Sequence, residues 1–192
     1  MDLPPPVQEA KALASRLSLA SKCSDEAGAL LRVLAAARPG GRIGVVGAGC
    51  GTGTAWLLSG CAPETRLFSV ERHPERADAV REMFAAEPRM TVLRGDWELI
   101  AADAPFDVLF VDAVPPKHQF PDRIPPLVAP GGLVVLDDLT PLVDDDERRA
   151  AAHDPVRAFW YGLSGWAVTE VIVSPREAVL LAARLVTPPA TA

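Results

Sequence analysis

Residues 42–53 read Arg-Ile-Gly-Val-Val-Gly-Ala-Gly-Cys-Gly-Thr-Gly, and this stretch decides the fold. Its first part, Arg42 to Val46, is an apolar run with the length of a buried strand. Its second part, Gly47 to Gly53, has glycine at every other position, so the backbone can turn tightly and approach a ligand closely. The apolar residues Trp56 to Leu58 follow. The stretch therefore predicts a strand, a ligand-binding loop and a helix.

The spacing of the glycines bears on the kind of ligand. A dinucleotide site has the pattern G-x-G-x-x-G, with a diphosphate at the helix N-terminus. Counted from Gly47 the sixth position is Thr52, and counted from Gly49 it is Thr54, so neither frame fits. The pattern favours a ligand without a diphosphate. The simpler alternative is a tight turn that binds nothing.

Strand-like and helix-like segments alternate outward from this stretch. The other apolar, strand-like runs are Arg66–Val70, Met90–Leu93, Asp107–Val111 and Leu133–Leu136. The helical segments are Val7–Ala20, Ser24–Ala37, one from Pro74, a short one near Trp97–Ala101, Asp144–Ala152 and Val156–Leu163. This alternation predicts an α/β fold with a doubly wound, mostly parallel sheet and helices on both faces.

The C-terminal part breaks the alternation. Ala167–Val173 and Ala178–Leu185 are β-rich runs separated by four residues. Parallel strands need a crossover of a dozen or more residues, so these two runs form an antiparallel hairpin. The hairpin brings the predicted sheet to seven strands. At 192 residues we expect a single domain without a separate substrate domain.

Acidic residues stand at the carboxyl ends of the predicted strands, where ligands bind in such sheets. Glu71 lies 24 residues after Gly47, where an acid can accept hydrogen bonds from both ribose hydroxyls; the alternative is a solvated acid beside Arg72. Asp96 and Trp97 can hold an adenine, and the alternatives are a helix N-cap and core packing. The remaining strand-end acids are Asp112, Asp137 and Asp138.

The charge balance argues against nucleic acid as a partner. The 25 Asp and Glu residues outnumber the 19 Lys and Arg residues, for a net charge of −6, whereas a phosphate backbone favours a basic surface. Residues 97–192 hold 14 of the acids and only 7 of the basic residues. Either a solvated acidic surface or carboxylates converging on a cation would account for this excess.

The sequence also indicates a compartment. The start, Met-Asp-Leu-Pro-Pro-Pro, lacks the basic and apolar regions of a signal peptide. No apolar stretch approaches the ~20 residues of a membrane span. The three cysteines, Cys23, Cys50 and Cys61, form no CxxC pair and are interpreted as reduced thiols. We therefore expect a cytoplasmic protein.

Five blocks follow one another in a distinctive order and spacing: Ile43–Gly53, Leu67–Glu71, Arg94–Trp97, Phe106–Ala113 and Pro130–Asp138. Together they resemble the class I S-adenosylmethionine-dependent methyltransferases. Val-Asp-Ala followed by Pro-Gly-Gly and Asp-Asp is most similar to the small catechol O-methyltransferase-like group. That group's seven-stranded sheet ends in an antiparallel hairpin, in agreement with the pattern of the C-terminal runs.

The resemblance implies S-adenosylmethionine as the cofactor. Glu71 would hold its ribose, and Asp96 with Trp97 would hold its adenine. The family usually has an acid two residues before the first glycine, and this chain has Val45 there. The full set of cofactor-binding residues that the resemblance implies is Gly47, Ala48, Gly49, Gly51, Glu71, Arg72, Asp96, Trp97 and Asp112.

The resemblance also implies a divalent cation, held in the metal-dependent branch by Asp112, Asp137 and Asp138. Ligands that are all oxygen suit Mg²⁺. Asp112 and Lys117 would be the catalytic residues, with Lys117 as a general base or a charge beside the phenolate. His118 is a weaker candidate than Lys117. The chain departs from the family in having Asp138 instead of asparagine, and Pro115 and Pro116 before the lysine.

These implications lead to an expected function. We expect methyl transfer from S-adenosylmethionine to a hydroxyl oxygen, most simply a phenolic one, of a small molecule. An N-methyltransferase, an NAD(P)-dependent oxidoreductase and a non-catalytic cofactor-binding module are the alternatives, and a homodimer is left open. We expect residues 1–23 to form a helical cover over the site, residues 24–186 the methyltransferase domain, and residues 187–192 a flexible tail.

Overall fold

A computed structural model describes residues 2–19, 23–142 and 154–186. Its strands are β1 (Arg42–Val46), β2 (Arg66–Glu71), β3 (Met90–Arg94), β4 (Phe106–Val111), β5 (Val128–Leu139), β6 (Trp166–Ser174) and β7 (Glu177–Arg184). Its α-helices are α1 (Pro5–Arg16), α2 (Asp25–Ala36), α3 (Thr52–Gly60), α4 (Pro74–Met83) and α5 (Pro155–Tyr161). Short 3₁₀ or π turns cover Trp97–Asp103, Pro115–Gln119, Pro121–Arg123 and Pro125–Leu127. None of the described helices is long and apolar enough to cross a membrane.

The strands form one sheet in the order β3-β2-β1-β4-β5-β7-β6. The first five strands in chain order pair in parallel, while β7 runs antiparallel to both β5 and β6. The predicted fold class, a mostly parallel seven-stranded sheet with a C-terminal antiparallel hairpin, is confirmed.

The strand order reverses between β1 and β4, which creates the crevice where ligands bind in this architecture. Val46 pairs with Val70 of β2 on one side and with Val111 of β4 on the other. The residues that follow these three in the chain are Gly47, Glu71 and Asp112. The register therefore brings three of the predicted site residues to one edge of the sheet.

Two apolar layers hold the sheet in place. One contains residues of α1 to α4 and of one sheet face, among them the fully buried Leu31 and Trp56. The other lies on the opposite face and includes Phe106 and Trp160. A side-chain carbon at Gly28 of α2 would overlap the indole ring of Trp56 in α3. Glycine at this position therefore lets α2 and α3 pack closely around the tryptophan.

Some element boundaries differ from the sequence prediction. The helix predicted from Ser24 begins at Asp25, because the Ser24 hydroxyl caps α2 and accepts a hydrogen bond from the Ala27 amide at 3.1 Å. The N-terminal helix already ends at Arg16, and the segment predicted as a short helix after Asp96 is a 3₁₀ turn. The fifth strand is longer than Leu133–Leu136, because Val128 already pairs with Phe106 of β4. The predicted helix Asp144–Ala152 and the tail 187–192 lie outside the described residues.

Candidate active site

The loop after β1 presents bare backbone to the crevice. Gly47, Gly49 and Gly51 have φ angles of 89°, 57° and 83°, which other residues rarely adopt. A side-chain carbon at Gly47 would lie 2.6 Å from the carbonyl oxygen of Asp112, whereas one at Gly49 would meet nothing within 4 Å. Gly47 thus packs against the end of β4, and open space lies over Gly49. Gly51 precedes α3 and faces Met83 of α4.

The carboxylate of Glu71 fixes this loop from the end of β2. One oxygen accepts a hydrogen bond from the Gly49 amide at 2.8 Å, and the other accepts one from the His73 amide at 2.9 Å. The side chain is only 4% exposed, so it is not the solvated acid of the simpler alternative. The bond to Gly49 could not be foreseen, because it depends on the loop folding back over the end of β2.

Two cavities lie on either side of the glycine loop. The first has a volume of about 120 Å³ and is lined by Val45, Ala48, Gly49 and Cys50 together with the start of α3. The second has a volume of about 210 Å³ and is lined by the ends of β2 and β3. Three residues line both cavities: Gly47, Arg76 and Asp112. The two cavities therefore meet at the switch point of the sheet.

The second cavity collects the predicted nucleoside-binding residues. Glu71, Arg72, Asp96 and Trp97 all line it. Asp96 is exposed and makes no capping hydrogen bond to the 3₁₀ turn that follows, which removes the N-cap alternative. Trp97 is 9% exposed and packs in the core while one part of it reaches the cavity wall. Trp97 therefore packs in the core, as the simpler alternative predicted, and also lines this cavity.

Three carboxylates converge at the neighbouring strand ends. Asp112, Asp137 and Asp138 each offer an oxygen within 4.8 Å of the oxygens of the other two. Successive side chains of a strand normally point to opposite faces. Here the pairing of β5 with β7 is irregular between Leu136 and Leu139, and Asp138 has a φ of 62°. This bulge brings both aspartates to the same cluster.

The environment of Asp137 fits a cation. Its side chain is fully buried, and neither carboxylate oxygen has a hydrogen-bond partner among the described residues. Burial, and then the nearby charge of Asp112, raise the pKa of Asp137 well above its usual range. The nearby backbone amide of Asp138 offsets only part of this rise, and it is not placed to form a hydrogen bond to the carboxylate. A buried, unpaired carboxylate is stable only when protonated or when a positive charge binds it. The cluster is therefore suited to a divalent cation.

Lys117 is buried beside the acidic cluster despite the two prolines before it. The π turn Pro115–Gln119 carries its side chain inward, where it is 5% exposed. Its Nζ donates a hydrogen bond to the Asp137 carbonyl at 2.9 Å and lies 3.8 Å from a carboxylate oxygen of Asp138. His118 is exposed. The lysine is therefore held at the cluster, and the sequence alone did not show that it would be buried.

Sequence reasoning missed the arginine that supports this part of the site. Arg157 of α5 forms two hydrogen bonds to Glu170 of β6, at 2.8 and 2.9 Å, and one to Asp154 at 2.6 Å. It also donates to the carbonyl of Thr140, just beyond β5, at 2.7 Å. A cavity next to the acidic cluster is lined by both Arg157 and Lys117. Arg157 thus ties α5 and β6 to the end of the strand that carries two of the acids.

Comparison with known proteins agrees with this geometry. Residues 45–139 match a family described as a methyltransferase domain. A Mycobacterium tuberculosis (strain H37Rv) protein named a probable O-methyltransferase is 32% identical over 119 residues, which are 57% of this chain and 52% of the relative. A protein-L-isoaspartate O-methyltransferase of Methylorubrum populi is 37% identical over 110 residues, which are 56% of this chain and 50% of the relative. The chain spans about half the length of the curated relatives it matches.

Solved structures share the whole fold. An O-methyltransferase from Bacillus cereus in complex with S-adenosylhomocysteine has a TM-score of 0.77 at 18% identity, covering 96% of this chain and 92% of that one. The O-methyltransferase TomG from Streptomyces achromogenes, in complex with S-adenosylmethionine, has a TM-score of 0.76 at 23% identity, covering 96% and 91%. The chain therefore has the class I methyltransferase fold, and its residues 45–139 match the methyltransferase domain family.

Proposed function

We propose that this protein transfers the methyl group of S-adenosylmethionine to a hydroxyl oxygen of a small molecule. The observation that carries the proposal is the pair of cavities that flank the glycine loop and meet at Gly47 and Asp112. A cofactor with a nucleoside at one end and an amino acid at the other fits two such joined compartments. The relatives named as O-methyltransferases support methyl transfer to an oxygen atom.

The second cavity suits the adenosine. An ionised carboxylate offers about four lone-pair sites. The amides of Gly49 and His73 occupy two of those on Glu71, so two remain for the hydroxyls of a ribose. Asp96, whose side chain caps no helix, can accept a hydrogen bond from the adenine amino group. Trp97 supplies apolar surface beside the ring, and the exposed Arg72 lies at the same cavity.

The acidic cluster suits a metal-assisted acceptor site. Asp112, Asp137 and Asp138 would hold Mg²⁺, which prefers oxygen ligands. When bound, such an ion lowers the pKa of a coordinated hydroxyl and so favours its anion near neutral pH. A phenol needs this help, since its own pKa is about 10. Asp112 lines both cofactor cavities, so the cluster lies next to the place where the methyl group would be.

Lys117 would serve the acceptor anion. Its hydrogen bond to the Asp137 carbonyl holds the ammonium in a buried place and leaves two of its three N–H groups for other partners. A fixed positive charge in a site shielded from water stabilises an anion more strongly than it would in bulk solvent. In this role Lys117 positions and stabilises the oxygen that attacks the methyl group.

Further parts of the proposal concern the rest of the chain. Residues 1–23 would cover the cofactor, as indicated by Leu19 and Cys23, which line the first cavity. Residues 24–186 would be the methyltransferase domain and residues 187–192 a flexible tail. We propose a cytoplasmic location, no nucleic-acid partner in view of the acidic charge balance, and a homodimer as the assembly to be examined.

Calorimetric titration and a turnover screen test this function. We expect S-adenosylhomocysteine to bind and NADH not to bind; tight binding of NADH alone would instead indicate an oxidoreductase. Turnover is then measured with labelled S-adenosylmethionine over catechols, other phenols and amines, with Mg²⁺ or with EDTA. Methylation of a catechol that EDTA abolishes supports the full proposal. Methylation of amines alone would indicate an N-methyltransferase, and cofactor binding without turnover would indicate a binding module.

A further inference from the structure

Arg76 is a cationic residue at the junction of the two cavities. It lies in the first turn of α4 and lines both cavities, whereas Arg72 lines only the second. Within residues 2–19, 23–142 and 154–186 it forms no hydrogen bond or ion pair. Two other arginines near the same helix are paired: Arg81 and Arg94 each contact Asp78, at 3.0 and 3.1 Å. Arg76 thus stands apart from its neighbours.

This position is unfavourable for an arginine that has only a structural role. The N-terminal turn of a helix carries a partial positive charge, which favours anions and disfavours cations. Arg76 is also half-buried, so its guanidinium loses part of its hydration and gains no partner among the described residues in return. An anion bound in the adjacent cavity would offset both the repulsion from the helix N-terminus and the lost hydration.

The charge of Arg76 faces the glycine loop. Burial raises the pKa of the Cys50 thiol, and the nearby positive charge of Arg76 partly opposes that rise. Cys50 belongs to the loop and lines the first cavity. The guanidinium therefore lies within electrostatic range of that cavity.

The first cavity has an unusual balance of charge. Among the described residues, the charged ones that line it are Arg76 and Asp112, and Val45 adds a buried apolar wall. The amino-acid end of S-adenosylmethionine carries one carboxylate and one ammonium group. One arginine and one aspartate at a single small cavity match those two charges. Among the described residues that line this cavity, no other cationic side chain is available to the carboxylate.

We infer that Arg76 binds the α-carboxylate of the cofactor's amino-acid end, whose ammonium group would lie in the same cavity, which Asp112 also lines. The inference rests on the proposed function and identifies Arg76 as a determinant of cofactor specificity. A guanidinium binds a carboxylate through two parallel N–H···O bonds, which are stronger than bonds between neutral groups. The sequence did not indicate this role, because Arg76 lies in α4, far from the glycine loop in sequence, and approaches the loop only in the folded chain.

Decarboxylated S-adenosylmethionine tests the inference, because it lacks only the carboxylate. Binding of both ligands is measured by calorimetry for the wild-type protein and for Arg76→Gln. The matched control is Arg81→Gln, which removes the same charge from the same helix but lies at neither cavity. Thermal unfolding of each apo protein reports on the fold.

We expect Arg76→Gln to weaken the binding of S-adenosylmethionine by about 10- to 100-fold, the range for a charge-assisted hydrogen bond. Binding of the decarboxylated ligand should be unchanged or tighter, and the apo variant should unfold no earlier than the wild type. Arg81→Gln should leave both affinities unchanged.

If Arg76→Gln weakens the binding of both ligands equally, or the binding of neither, the role of Arg76 is overturned while the proposed function stands. If the wild-type protein binds neither ligand, the proposed function fails and the inference fails with it. Arg76→Lys adds a further check, since it keeps the charge but not the planar fork; it should recover only part of the affinity for S-adenosylmethionine.

Discussion

Replacing Glu71 with glutamine tests how the glycine loop is held and how the ribose would be bound. The substitution keeps the size of the side chain and removes its charge. Both carboxylate oxygens accept a backbone amide, from Gly49 at 2.8 Å and from His73 at 2.9 Å. Glutamine has only one side-chain oxygen, so its NH₂ group must face one of these two N–H donors. One partly buried N–H donor is then left without an acceptor and faces another donor.

The magnitude follows from this geometry. Leaving a buried polar group unpaired costs about 1–3 kcal/mol. For a chain of this size, each kcal/mol lowers the melting temperature by about 2–4 °C, so Glu71→Gln should lower it by roughly 2–12 °C. Affinity for S-adenosylhomocysteine should fall by at least about tenfold, because the loop shifts and the charged acceptor for the ribose hydroxyls is lost.

Circular dichroism melting and calorimetric titration with S-adenosylhomocysteine measure the two effects. Glu75→Gln is the matched control, since Glu75 is exposed in the first turn of α4 and lines neither cavity. We expect the control to melt within about 2 °C of the wild type and to bind normally. If Glu71→Gln melts and binds like this control, the carboxylate neither fixes the loop nor holds the ribose.

Three further predictions concern the core, the acceptor site and the acidic cluster. Trp56→Ala should reduce the free energy of unfolding in denaturant by about 3–5 kcal/mol, since the ring is fully buried; a loss below about 1 kcal/mol would contradict the packing of α2 on α3. Lys117→Met should lower kcat at least about tenfold while the affinity for S-adenosylhomocysteine stays unchanged, and an unchanged kcat would remove Lys117 from the reaction. Because the pKa of Asp137 is higher in the folded than in the unfolded chain, the folded state keeps a proton that the unfolded state releases, so stability falls as the pH rises above about 4. In the apo protein, Asp137→Asn should reduce the dependence of the free energy of unfolding on pH by up to about 1.4 kcal/mol per pH unit. The variant should also lose any rise in melting temperature that Mg²⁺ causes at pH 8. The same pH slope in variant and wild type would contradict the buried, unpaired carboxylate.

The sequence predicted the features that depend on local patterns. The positions of the strands were predicted from the apolar run before Gly47 and from the other apolar runs. This works because a strand that is buried on both faces consists mostly of consecutive apolar residues. The short link before Ala178 predicted the antiparallel hairpin. Glu71 and Asp112 could be placed at one edge because they directly follow strands that a doubly wound sheet brings together.

Features that depend on tertiary contacts could not be predicted from local patterns, and the resemblance alone pointed to the cluster of Asp112, Asp137 and Asp138. Asp137 and Asp138 are adjacent in sequence, and an ordinary strand would point them to opposite faces; the bulge that unites them arises from pairing with β7, far along the chain. The burial of Lys117 depends on a π turn that the two prolines did not suggest. The approach of Arg76 to the glycine loop depends on how α4 packs on the sheet.

A crystal structure with S-adenosylhomocysteine tests the central claim most directly. We expect the adenosine in the cavity of Glu71, Asp96 and Trp97, with both ribose hydroxyls bonded to Glu71. The amino-acid end should lie in the cavity on the other side of Gly47, with its carboxylate on Arg76. A ligand bound with its ribose away from Glu71, or lying outside these two cavities, would contradict the claim that they form a cofactor site for methyl transfer.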